Sequence, residues 1–83
     1  MVDLRGLQIV KDEESIMTHY KVQIPSEIFQ QFLKEKGLNE KAFIAEYFKQ
    51  NGITPSKYTK SKLVLTSKGY EIQFNTYDYL IAL

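Results

Sequence analysis

The chain has no cysteine and no tryptophan, one histidine, two prolines and four glycines among its 83 residues. Without Cys there is no disulfide framework, thiol nucleophile, cysteine zinc site or iron–sulfur cluster, and a reducing, cytoplasmic compartment is expected. His19 alone cannot build a metal site that needs two or three His ligands, nor pair with a cysteine nucleophile. The glycines stand singly at 6, 37, 52 and 69, so neither a glycine-rich phosphate loop nor a Gly-x-Ser-x-Gly elbow occurs. No apolar run approaches the roughly 20 residues that span a bilayer, and the first residues lack a basic region followed by an apolar core. Neither export nor a membrane partner is expected. Asp12, Glu13 and Glu14 lack the spacing of a calcium loop and read as a solvated turn. With no metal or cofactor site and no nucleophile–base pair, the chain reads as a non-enzyme.

What is present describes a globular protein: 43% hydrophobic, 13% aromatic and 25% charged residues, with six Tyr and five Phe to supply core area. A chain of this length is expected to form a single domain over residues 1–83, burying about two thirds of its unfolded surface. The formal net charge is only +1, but it is unevenly spread. Residues 47 to 70 contain no acid, and Lys49, Lys57, Lys60, Lys62 and Lys68 lie among them with Tyr58 and Tyr70 interleaved. That window reads as a locally basic face, with the two tyrosines as candidate stacking groups.

The pattern predicts an α+β fold. Residues 4 to 10 carry strand formers, the polar run 11 to 15 reads as a turn, and 16 to 24 form a strand that returns on the first as a hairpin. Pro25 ends this strand. Ile28, Phe29, Phe32 and Leu33 recur at helical spacing and predict a helix over about 26 to 36, closed by Gly37 as a left-handed cap. Asn39 is a favoured N-cap for a second helix over about 40 to 50, with Ala42, Phe43, Ile44, Tyr47 and Phe48 as its apolar stripe. Thr54-Pro55 is a start signal for one further helical turn. Residues 61 to 75 predict a second hairpin through a tight turn at Ser67-Lys68-Gly69, with Tyr70, Ile72 and Phe74 alternating against Glu71 and Gln73. The apolar tail from Tyr77 is expected to dock on the body.

The segment pointing beyond a small domain is Thr18-His19-Tyr20-Lys21-Val22-Gln23-Ile24-Pro25. Tyr20, Val22 and Ile24 fall on one face of a strand, and His19, Lys21 and Gln23 on the other, because side chains alternate with a period of two. The outward triplet is hydrogen-bonding and compatible with base edges. Together with Pro25 at a strand–helix junction and Gly37-Leu38-Asn39-Glu40-Lys41-Ala42-Phe43-Ile44 at the second helix start, this makes residues 18 to 51 resemble the ribbon-helix-helix DNA-binding regulators. The resemblance covers about two fifths of the chain.

That resemblance implies a homodimer whose paired strands enter the major groove of double-stranded DNA. It would place His19, Lys21 and Gln23 at base edges, with Asn39, Glu40 and Lys41 at a helix N-terminus resting on phosphate. A winged arrangement is a second route to the same ligand, with Lys57, Lys60 and Lys62 on DNA and Lys68 at the wing tip. The candidate nucleic-acid contacts are therefore His19, Lys21, Gln23, Asn39, Lys41, Lys57, Tyr58, Lys60, Lys62 and Lys68. The expected function is a small non-enzymatic DNA-binding transcription regulator. The alternative is a protein–protein interaction or inhibitor module with an unknown partner, of the kind common in phages, viruses and plasmids.

Overall fold

The computed structural model describes residues 2–37 and 39–77. It is an α+β structure in which β1 (Ile9–Glu14) and β2 (Met17–Ile24) form one hairpin, and β3 (Ser61–Thr66) and β4 (Gly69–Tyr77) another. Between them in the chain lie α1 (Ser26–Lys36) and α2 (Glu40–Gln50). The hairpins join through their second strands into one antiparallel sheet of order β1-β2-β4-β3. The β2–β4 register sets Tyr20 opposite Phe74, Val22 opposite Ile72 and Ile24 opposite Tyr70. Two alternating strands are thereby aligned so that their apolar faces coincide.

Both helices lay their apolar stripes on that face, where Phe29, Phe32, Phe43, Ile44, Tyr47 and Phe48 close over Val22, Ile24, Ile72 and Phe74. Much of the contact is between rings. Phe43 meets Phe29 and Phe32 edge-on at 5.6 and 4.8 Å, Phe48 meets Phe74 at 5.0 Å, and Tyr20 stacks on Phe74 at 4.8 Å. Edge-to-face and offset rings add to what their buried area contributes. Burial pushes the pKa of the Tyr47 hydroxyl up, which keeps it neutral in this layer.

Both helices fall where the apolar spacing places them, and Asn39 caps α2 by accepting from the Ala42 amide at 3.0 Å. Gly37 closes α1, its N–H donating to Leu33 O at 2.9 Å, but not as a left-handed cap. With φ 78° and ψ −179° it occupies a region open essentially to glycine alone.

Three other expectations are corrected. The first strand is not 4 to 10. The polar run Lys11–Glu14 is itself strand, paired with Met17–Tyr20, and the turn is at Ser15-Ile16. Leu4 is drawn off instead into the core, where it is fully buried. Its N–H donates to Gln50 Oε1 at 2.6 Å and its carbonyl accepts from Asn51 Nδ2 at 3.1 Å. An edge strand needs only its backbone ladder to form, and exposed charges along it discourage pairing with another sheet. Thr54-Pro55 opens no helix. The segment bends instead through Thr59 N to Ser56 O, 3.1 Å, into β3. Tyr70 is partly buried against the core, its ring 3.9 Å from that of Phe29. The second hairpin runs on to Tyr77, and the tail expected to dock lies outside the described residues beyond that point. Among the described residues, no helix is long and apolar enough to cross a membrane.

Candidate functional site

Because the buried helix faces close over one side of the sheet, its opposite side is left without a helical layer. The period of two sends the alternate residues of each strand there, and the registers line them up across strands. One row runs Val10, Lys21, Gln73, Lys62. The next runs Asp12, His19, Asn75, the last lying beside Lys60. These residues line a broad open depression of about 830 Å³, with Met17 and Tyr77 at one end.

The polar groups on this face are partly committed to one another. Glu71 is only 7% exposed although it points to the open side. Its two carboxylate oxygens accept from Gln23 Nε2 and Gln73 Nε2, both at 2.7 Å. A buried carboxylate is tolerable when its oxygens are satisfied in this way. The same contacts turn both amide nitrogens inwards, so Gln23, expected at a base edge, spends its donor within the sheet. Asn75 is likewise buried, its Oδ1 accepting from the Lys60 backbone N–H at 2.8 Å, which anchors the start of β3. The lysines are then the outward donors: Lys21, Lys60 and Lys62 are all exposed.

Apart from the buried Glu71, the charged side chains on the face are segregated. Lys21, Lys60 and Lys62 stand over β2, β3 and the strand between them. Asp12 and Glu14 project from β1, and Glu14 Oε2 lies 3.7 Å from His19 Nε2, a contact that becomes an ion pair when the imidazole is protonated. Beyond β3, the Tyr58 ring meets that of Tyr77 edge-on at 6.1 Å, with Lys57 Nζ 5.1 Å from the centre of the Tyr58 ring. Tyr58 is 46% exposed.

Of the ten expected contacts, His19, Lys21, Gln23, Lys60 and Lys62 share this face, and Lys57 and Tyr58 flank it through Tyr77. Lys68 sits at the β3–β4 turn, where its N–H donates to Thr66 Oγ1 at 3.2 Å. Asn39 and Lys41 belong to the N-terminus of α2, in the helical layer, with the Asn39 side chain spent on its cap. Glu40 ties that terminus to the sheet by accepting from Leu63 N–H at 2.8 Å, which also covers a donor on the outer edge of β3. The ribbon geometry needs a strand edge open to a second subunit, and β2 has β1 on one edge and β4 on the other. Gln73, Asn75, Tyr77 and Asp12 were not among the expected contacts. The alternation of β4 was a signal for the first two.

Compared with protein-family models, curated proteins and solved structures, the chain finds no match.

Proposed function

We propose that the chain is a small non-catalytic nucleic-acid-binding module whose contact surface is the open face of the sheet. The single observation that carries this is the placement of Lys21, Lys60 and Lys62, distant in sequence, on one uncovered surface. Ammonium groups projecting together from one sheet face are suited to phosphate oxygens, and the exposed His19 imidazole beside them to a base edge. The donor set holds a ligand and transforms nothing. Exposed Ile9, Val10, Ile16 and Leu65 offer little to a protein partner by comparison. They are spread over two opposite edge strands and a turn, and singly exposed apolar residues are ordinary.

The test uses a labelled DNA hairpin carrying a single-stranded overhang, so that duplex and single strand are both on offer. Fluorescence anisotropy at about 50 and 200 mM salt should show affinity falling about 20- to 150-fold, as neutralising three or four phosphates requires. No binding at the lower salt would refute the proposal.

A further inference from the structure

We infer that the occupant of the open face is a single-stranded nucleic acid, running over β2, β4 and β3 with a base stacked at the Tyr58–Tyr77 end. This rests on the nucleic-acid reading above and narrows it to one form of the polymer. Three observations support it.

The first is width. Four strands about 4.8 Å apart set the outer strand axes roughly 14 Å from each other before side chains are added. A major groove is about 12 Å wide, so the sheet cannot enter it face-first as a two-stranded ribbon does. A single strand has no groove to enter and lies along an open surface.

The second is the division of charge. Lys21 and Lys62 flank Gln73 in one cross-strand row, two strand spacings or roughly 10 Å apart. Flexible Lys side chains rooted that far apart reach separate phosphates of one strand laid across Gln73. Exposed Asp12 and Glu14 on β1 repel phosphate, whereas Glu71 on β4 is buried with its oxygens held by Gln23 and Gln73, which favours a path over the other three strands. A polyanion as broad as a duplex would overlie the β1 carboxylates, whereas a narrower one avoids them.

The third is the aromatic end. Tyr77 lines the depression, and Tyr58 stands edge-on to it with its ring partly exposed and the Lys57 ammonium alongside. An exposed ring beside cations is the arrangement on which unpaired bases stack, and bases within a duplex are not available to it.

The experiment compares the unaltered chain on a labelled thymidine oligonucleotide of about twelve residues and on a mixed-sequence duplex of about twelve base pairs, at low salt. The single strand should bind about tenfold more tightly, the difference one stacked base makes. A Tyr58→Trp variant then reports on the stack, because the chain has no other Trp and position 58 is exposed enough to accept the larger ring. Its fluorescence should be quenched by the unlabelled oligonucleotide and unchanged by the duplex. Equal or tighter binding to the duplex would overturn the inference while leaving a nucleic-acid-binding protein. Tight single-strand binding without quenching would overturn the placement of the base. Binding to neither probe would remove the functional reading on which the inference rests.

Discussion

Phe43→Ala should lower the stability of the folded chain by about 3–5 kcal/mol, the range for removing a buried aromatic ring from a packed core. Phe43 is 1% exposed and lies where α1, α2 and the sheet converge, with Phe29 and Phe32 both packed edge-on against it. A domain of this size has roughly 4–12 kcal/mol in total. The substitution therefore removes a large part of the margin. Neither helix has a second apolar face with which to compensate, since the outer surfaces of both are polar. Urea titration followed by circular dichroism should show the midpoint moving to much lower denaturant with an unchanged slope. Phe43→Leu, which keeps most of the volume, should lose clearly less. A loss under about 1 kcal/mol for the alanine variant would mean that the aromatic layer between helices and sheet is not the core.

The second large effect is on binding. Replacing Lys21, Lys60 and Lys62 together by Gln should weaken nucleic-acid affinity about 10- to 50-fold at low salt and flatten its salt dependence by roughly three phosphate contacts. All three side chains are exposed, so thermal stability should remain within a few tenths of a kcal/mol of the unaltered chain. The contrast is with Lys34, Lys36 and Lys49, equally exposed but carried by the helices. Neutralising those three removes the same formal charge and should have little effect on affinity. If the two triple variants behave alike, attraction is a property of net charge and not of the open face.

How much of this could be read in advance depends on the range of the interaction concerned. Helix positions follow from side chains three and four residues apart, and both helices came out at the expected bounds. The facing of Tyr20, Val22 and Ile24 away from Lys21 is equally local. The first strand was misplaced because hydrophobicity is a poor guide to an edge strand. Lys11 to Glu14 form ladder bonds whatever their side chains, whereas Leu4 is claimed by Gln50 and Asn51, more than forty residues away. The assembly of the site lies on the long-range side. Lys21 joins Lys62 only because β2 pairs with β4 in one register, and a shift of a single residue would send every side chain to the opposite face. Gln23 shows the same limit, since nothing near it in sequence marks Glu71 as the acceptor for its amide.

The most direct test of the central claim is to map where nucleic acid touches the chain. Backbone amide NMR spectra of the isotopically labelled protein, recorded during titration with the thymidine oligonucleotide, should show the largest shifts at His19, Lys21, Lys60, Lys62 and Gln73, with α1 and α2 quiet. Shifts concentrated instead at Asn39 to Lys41 and along the helices would contradict the account, because they would put the contact on the layer that covers the core and leave the open sheet face without a role.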